Sequence, residues 1–507
     1  MKVNIIGGGV AGLAAGIYLQ KNGIQTEIFE QHAVAGGLCA GWRRDGYLIN
    51  GCMHWLLGSG QGISFNTFWR EIIDLDAIKF IYHEERVQFD VPGLADRHGN
   101  TVFHFYNDID KFEQYLLDIS PEDESVIRLW MNEVRFVGKY LDRLPPVFYD
   151  EPWWKSLWHK MRLASLTPML FFMRRWSGSS NYDFAERFKN PFLKKAITLL
   201  YEKEMRMQIL LFVQSYANEG VAGYPMGGSL PFAQKLVESY LAKGGKLRLN
   251  TSVESIEVKD GKARSLLLKN GEREACDYVI SAADWHWTMF HALGGNYLSS
   301  KQMALKKLKK EQVFYSFCIL YIGVDLDMSA MPHFVRYDIG EKLSSPDGTE
   351  YERLEVQNYC YDPMMAPKGK SLLAVDFQTR EGQYWMELRK NDYEEYKRQK
   401  HLFADKVIAL LAKRLGNDFV SHIEMCDLTT PATYYRYTRN YWGSSQGWTP
   451  QDNVLHRLPI TNRVKGVDNV YLAGHWLEAG GGLPIALKSA RDVAWMVSKR
   501  VNGKFVV

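Results

Sequence analysis

The first thirty residues, MKVNIIGGGVAGLAAGIYLQKNGIQTEIFE, restrict the fold of this chain more than any other stretch. Val3 to Ile6 is a short, largely β-branched run that reads as a buried strand. It enters Gly7-Gly8-Gly9-Val10-Ala11-Gly12, a GxGxxG pattern through Gly7, Gly9 and Gly12. A helix pattern follows on Leu13, Ile17 and Leu19, Gly23 ends it, and a second strand, Thr26 to Phe29, delivers Glu30. Each part has a physical role in a nucleotide-binding βαβ unit. Gly7 makes the tight turn, Gly9 admits a pyrophosphate, and Gly12 lets helix and strand pack closely. The helix N-terminus, with Val10 and Ala11 in its first turn, faces the phosphates. A lone GxGxxG carries little weight, but strand, glycines, helix, strand and acid in register carry much more. An acid at the end of the second strand suits an unphosphorylated adenosine ribose, as in FAD or NAD.

Length and composition bound the rest. A chain of 507 residues predicts two or more domains. Hydrophobic content of 46% and charged content of 24% are those of a globular protein. A net charge of +4 is too small to argue for nucleic acid, and no zinc-finger or RNA-binding signature accompanies it. The cysteines (Cys39, Cys52, Cys276, Cys318, Cys360, Cys426) are scattered without a CxxC pair. That pattern predicts a reducing, cytoplasmic setting, no disulfide framework and no metal site. His286 and His291 are spaced wrongly to share a helix face as ligands. No run reaches the ~18 apolar residues of a membrane span, and the glycine-rich start is not expected to be a signal peptide.

The next glycines separate FAD from NAD. Glu30-x5-Gly36-Gly37-Leu38 extends the opening in a way that NAD dehydrogenases do not require. With it, the sequence resembles the two-dinucleotide-binding flavoprotein superfamily, with Gly16 and Thr26 standing where that pattern has Ala and Val. The late stretch GVDNVYLAGHWLEAGGGLP is similar to the second flavin segment of the same superfamily. Gly474, Gly480, Gly481, Gly482 and Leu483 fit it, whereas His475 stands where an acid usually holds a ribityl hydroxyl. An imidazole can make such a hydrogen bond too. A third segment, GYPMGGSLPFAQKLVESYLAKGG, predicts a helix with Phe232, Leu236 and Leu241 as its apolar positions. Hairpin turns are predicted at Asp260-Gly261 and Asn270-Gly271. The resemblance puts Val253 against the adenine; the alternative is a plain buried strand valine. "YVISAADWHW" looks like a strand returning to the cofactor.

The fold class expected is therefore α/β. A Rossmann-like FAD-binding domain is assembled from 1–70, 220–295 and 440–507, with a mixed α+β substrate domain from 71–219 and 296–439. Over nearly its whole length the chain resembles the phytoene desaturase, carotenoid isomerase and retinol saturase group. GGLCAGWRRDGYLINGCMHWLLG, YCYDPMMAPKGKSLLAV and TTPATYYRYTRNYWGSSQGW carry that likeness. Leu38 replaces an Arg common in the desaturases, and Ile49-Asn50 replaces Phe-Asp. The resemblance implies an FAD-dependent oxidoreductase that desaturates or saturates C–C and C=C bonds of a hydrophobic, polyene- or prenyl-like substrate. Redox-neutral double-bond isomerisation and amine oxidation are the alternatives, and a flavin-binding scaffold is the non-enzymatic one. No second GxGxxG unit is visible, so the electron partner is not assigned.

At residue level His54, near the expected flavin, is the candidate to orient substrate or move a proton; a hydrogen-bonded core histidine is the alternative. Cys39 and Cys52 read as two small thiols. Phe171, Phe172, Met173, Phe212 and Tyr216 predict an apolar substrate domain. Within 152–182, Trp153, Trp154, Leu157, Trp158 and Met161 share one helical face flanked by Lys155, Lys160 and Arg162, with Pro168 expected to kink or end the helix. This predicts peripheral membrane contact, against the alternative of a helix packed on the core.

Overall fold

In the computed structural model residues 1–141, 166–201, 205–416, 418–449 and 460–507 are described. The opening segment folds into strand β1 (Lys2–Ile6), helix α1 (Val10–Lys21) and strand β2 (Gln25–Phe29). Helix α2 (Ser229–Ala242), β3 (Lys246–Arg248), β4 (Tyr278–Ser281), β5 (Val470–Leu472) and α3 (Gly482–Asn502) complete this layer. The five strands are all parallel in the order β3-β2-β1-β4-β5, which is the doubly wound order 3-2-1-4-5-6 without its sixth strand. Both faces of such a sheet are covered, so β1 is buried from Val3 to Ile6, with Asn4 the polar exception among Val3, Ile5 and Ile6.

α1 is buried on every side because α2 and α3 pack against it. One ring explains the two departures in this segment. Tyr240, on α2, lies over Gly16, where a Cβ would sit 2.6 Å from Tyr240 Cε2. Its hydroxyl lies 2.9 Å from Thr26 Oγ1 and donates to the Thr26 carbonyl at 3.1 Å. The inward positions of α2 are thus Phe232, Leu236 and Tyr240; Leu241, expected inside, is 48% exposed because i, i+4, i+8 turns one residue short of it.

A three-stranded antiparallel sheet, Val253–Lys259, Lys262–Leu268 and Arg273–Ala275, extends this half. Asp260-Gly261 forms the expected two-residue turn, with φ of 53° and 70°. Asn270-Gly271 does not. There the Leu268 N–H donates to the Glu272 carbonyl and encloses three residues, with only Gly271 in the left-handed region.

The other half is a seven-stranded mixed sheet. Its order is Ile423–Thr429, Ser316–Val324, Ser371–Thr379, Glu350–Asn358, Phe334–Ser344, Glu85–Asp90 and Val102–Tyr106. Stretches on either side of 220–295 thus share one sheet, joined where Val335 pairs with Gln88. Helix Tyr393–Leu415 packs on the face of this sheet that carries Cys318, Leu320 and Ile322, through Tyr396, Phe403, Val407 and Leu411. Beside it, helices including Ile109–Ile119, Glu124–Gly138 and Met207–Asn218 enclose a core around Phe112, Trp130 and Leu211.

One expectation for this half changes, and one is met only in part by the described residues. Pro168 lies in the first turn of helix Thr167–Trp176, where its missing N–H is harmless; the helix it was expected to kink or end lies outside the described residues. Of the aromatic group, Phe172 is core, Met173 and Phe212 pack on the core, and Phe171 is exposed. The Trp face at 153–161 lies outside the described residues. Among the described residues no helix is long and apolar enough to cross a membrane.

Candidate functional site

A cavity of about 1260 Å³ opens at the carboxyl ends of the parallel strands, between the two halves. Ile6 ends β1 on its wall, Phe29 and Glu30 end β2, Ala282 and Ala283 follow β4, and Gly474 follows β5. This is where an open parallel sheet binds ligands, because loops diverge there on either side.

The first wall is the glycine turn. Gly7 turns with φ of 96°, and Gly9 caps α1 without any side chain over the helix end. The first turn of α1 carries no acidic residue, so its leading N–H groups and positive dipole end remain available. Gly7, Gly9, Val10 and Ala11 line the cavity. Gly12, expected with them, does not. A Cβ there would lie 2.0 Å from the Gly7 carbonyl oxygen, so its role is helix–strand packing behind the wall.

Glu30 is 6% exposed and lines the cavity. Its Oε2 accepts from the Gly8 N–H at 2.7 Å and its Oε1 from the His32 N–H at 2.9 Å. Burial pushes this carboxyl above its ordinary range, and the two N–H groups pull it part way back. A carboxylate has about four acceptor sites, so two bonds leave capacity for ligand hydroxyls.

The second glycine run locks onto the first. The Gly36 N–H donates to the Gly8 carbonyl at 2.9 Å, and a Cβ on Gly37 would lie 3.1 Å from Gly9 Cα. Gly36 and Gly37 have φ of 139° and 60°, and Leu38 follows them on the wall. Val253, 6% exposed, begins its strand at the same cavity.

The closing segment supplies a second uncapped helix end. Gly474 (φ 129°) donates its N–H to Ser489 Oγ at 2.9 Å, and α3 begins after Gly481 without a side-chain cap. A Cβ on Gly481 would lie 2.6 Å from the Gln446 carbonyl oxygen. Gly482 and Leu483 line the cavity beside it. His475 has a buried Nε2 with no protein partner, and burial lowers its pKa to about 4. An orphaned neutral nitrogen here matches a ligand hydroxyl.

His54 also opens onto this cavity, and its exposure is to the cavity interior. Gln357 holds its Nδ1, with Oε1 at 3.1 Å and Nε2 at 2.9 Å. The amide is oriented from behind, because Tyr359 OH donates to Oε1 (2.8 Å) and Nε2 donates to Asp376 Oδ2 (2.6 Å). Burial lowers the pKa of His54, so the ring is neutral at pH 7. Burial, reinforced by Glu355, raises that of Asp376 to about 7. Nothing local in the sequence marks Gln357, Tyr359 or Asp376; they reach His54 only through sheet pairing. Cys39 and Cys52, both on the wall, have Sγ atoms 3.9 Å apart.

Beyond these groups the wall is apolar. Trp55 and Tyr216 meet with ring centroids 6.3 Å apart, and Ile209 and Val213 extend the same surface one helical turn at a time. Phe317, Ile319 and Tyr434 come from the mixed-sheet half. No described acidic residue from 71–219 or 296–439 lines the cavity.

Comparison with known proteins agrees with this geometry. Residues 10–498 match the family described as flavin containing amine oxidoreductase. A prolycopene isomerase from an Oncidium hybrid cultivar is 24% identical over 501 residues, covering 94% of this chain and 80% of that protein. A 4,4'-diapophytoene desaturase from Methylomonas sp is 22% identical, covering 99% of this chain and 96% of that protein. A lycopene-forming phytoene desaturase from Paracoccus sp. is 23% identical, with 97% and 96% covered. Among solved structures, a Methanosarcina mazei oxidoreductase superimposes with a TM-score of 0.56 at 17% identity, covering 97% of this chain and 99% of that one. A putrescine oxidase variant gives 0.59 at 15% identity, covering 98% and 99%. At those identities the structural likeness is one of fold.

Proposed function

Because the chain belongs to the flavin-containing amine oxidoreductase family, we propose that it is an FAD-dependent oxidoreductase acting on C–C or C=C bonds of an apolar, polyene- or prenyl-like substrate. FAD supplies a two-electron acceptor and donor at its ring. The donor set on the wall fits such a dinucleotide. Glu30 would hold the adenosine ribose, and the uncapped N-terminus of α1 with Gly7 and Gly9 would hold the pyrophosphate. Val253 would lie at the adenine, and Gly36, Gly37, Leu38, Gly474, His475, Gly481, Gly482 and Leu483 would meet the remainder. In this reading 1–70, 220–295 and 440–507 carry the cofactor, and 71–219 with 296–439 carry the substrate.

The observation that favours a carbon chain over an amine is the wall itself. Trp55, Ile209, Val213, Tyr216, Phe317 and Ile319 exclude water, whereas a polyamine would meet no described carboxylate from the substrate-side stretches. His54, neutral and held by Gln357, is the group to accept or return a proton at the reacting carbon. Redox-neutral isomerisation is the second reading, favoured by the likeness to prolycopene isomerases.

The test is anaerobic incubation of the purified flavoprotein with an acyclic polyene in detergent, with a poly-cis polyene after flavin reduction, and with putrescine. A shift in polyene absorption in either of the first two supports the proposal and tells redox change from isomerisation. Rapid flavin bleaching by the diamine, with both polyenes unchanged, overturns it.

Peripheral membrane contact through 152–182 belongs to the same reading. Helix Thr167–Trp176 leaves Leu170 and Phe171 66% and 65% exposed, one turn before Arg174. An apolar patch with a flanking cation suits the lipid interface from which a water-insoluble chain would enter.

A further inference from the structure

Arg86 is out of keeping with its surroundings. Among the described cavity-lining residues of 71–219, namely Arg86, Leu141, Tyr201, Met205, Ile209, Val213 and Tyr216, it is the only charged one. Its position is built by a break in the sheet. Glu85 pairs with Tyr106 and Val87 with Phe105, so Arg86 is the one extra residue of a bulge in strand Glu85–Asp90. Bulges re-aim a side chain out of the regular alternation, and they recur beside functional sites. Here the bulge puts a guanidinium on the cavity wall.

No hydrogen bond or ion pair links Arg86 to another described residue. Glu355, which like Arg86 acts on His54 and Arg336, is already engaged: it pairs with Arg336 Nε at 3.2 Å and with Arg353 Nε at 3.3 Å. The positive charge of Arg86 also reaches His54, His333 and Arg336, adding to burial in lowering the pKa of each. A fixed cation against an apolar surface is unfavourable unless an anion meets it. Proton transfer at a hydrocarbon does not itself require one.

We infer that the apolar substrate ends in a carboxylate and that Arg86 binds it, anchoring one end of the chain in the cavity. This rests on the carbon-chain reading proposed above and narrows it. The guanidinium fork matches the two oxygens of a carboxylate. One arginine neutralises one charge, so a phosphate, with about −1.5 to −2, would leave negative charge in an apolar cavity. The substrate class is therefore a long-chain unsaturated acid rather than a pure hydrocarbon.

The experiment uses the flavin-loaded full chain at pH 8 and three probes: an acyclic polyenoic acid, its methyl ester, and the phosphate monoester of the matching alcohol. Binding is read from tryptophan fluorescence and equilibrium partition, independently of turnover. The acid is expected to bind about 10- to 100-fold tighter than the ester, the size of a charge-assisted hydrogen bond. Arg86→Gln should erase that difference with the ester's affinity unchanged, and Arg86→Lys should restore part of it. Equal binding of acid and ester by the unaltered protein overturns the inference while the carbon-chain reading stands. Tighter binding of the phosphate overturns it too, as does an Arg86→Gln loss that is equal for acid and ester. If neither acid nor ester binds while putrescine bleaches the flavin, both fall together.

Discussion

Burial raises the pKa of both Glu30 and Asp376, but their hydrogen bonding differs. Glu30 has two backbone N–H donors and spare acceptor capacity facing the cavity. Glu30→Ala should loosen FAD by roughly 10- to 100-fold, since a hydrogen bond to a charged group contributes ~1.5–3 kcal/mol. Flavin retained through gel filtration measures it, and undiminished retention would remove Glu30 from the cofactor site. Asp376 has one amide donor, a buried Oδ1 without a partner, and a pKa raised to about 7 from 3.8. Between those values the folded chain holds a proton that the unfolded chain has released, so this group's contribution to stability falls as pH rises from about 4 to 7. Asp376→Asn removes that loss. The variant should melt a few degrees above the parent at pH 8 and level with it near pH 4. A constant offset at both pH values would show that the carboxyl is ionised throughout.

At the scale of elements, the packing of α1 against α2 offers a sharper test than any single contact. Alanine is favoured over glycine inside a helix by ~1 kcal/mol, so Gly16→Ala would ordinarily stabilise α1. Here the added Cβ meets Tyr240 at 2.6 Å, and the ring is held by its bonds to Thr26, so overpacking of about 1–3 kcal/mol should win. In a Tyr240→Leu background the same substitution should become neutral or stabilising. A denaturant double-mutant cycle reads the coupling directly, and additive effects would mean that the ring yields freely. Gly16 and Thr26 were visible in the sequence as departures from a pattern. Their common cause was not, because Tyr240 is more than two hundred residues away along the chain.

At the scale of the molecule, two sheets of different character meet at one cavity, and the route by which an insoluble substrate arrives becomes a question of surface. Leu170, Phe171 and Arg174 sit on a helix that follows directly on the Trp-rich stretch at 153–161. The protein is expected to float with anionic vesicles at low salt and to release them as salt rises. Leu170→Ser/Phe171→Ser and Trp153→Ala/Trp154→Ala should each weaken flotation several-fold without loss of flavin. Flotation that is negligible for parent and variants alike would leave substrate delivery to a carrier or to solution.

Sequence alone determined the parts of this protein whose physics is local. A turn that needs positive φ favours glycine, a helix end that must admit a phosphate favours a residue without a side chain, and a parallel strand covered on both faces is mostly apolar. Gly7, Gly9, Gly36, Gly37, Glu30 and the run Gly480 to Gly482 could therefore be read in order along the chain, and all of them line the cavity. Three-dimensional packing decided the rest. Gln357, Tyr359 and Asp376 stand behind His54 because a strand from 350–358 pairs with one from 371–379, and pairing between distant strands leaves no mark at either position. Leu241 turned outside, and Arg86 entered the cavity through a one-residue bulge. Each depends on a register or a crossing angle, which is set by how whole surfaces fit, and no short window of sequence contains that information.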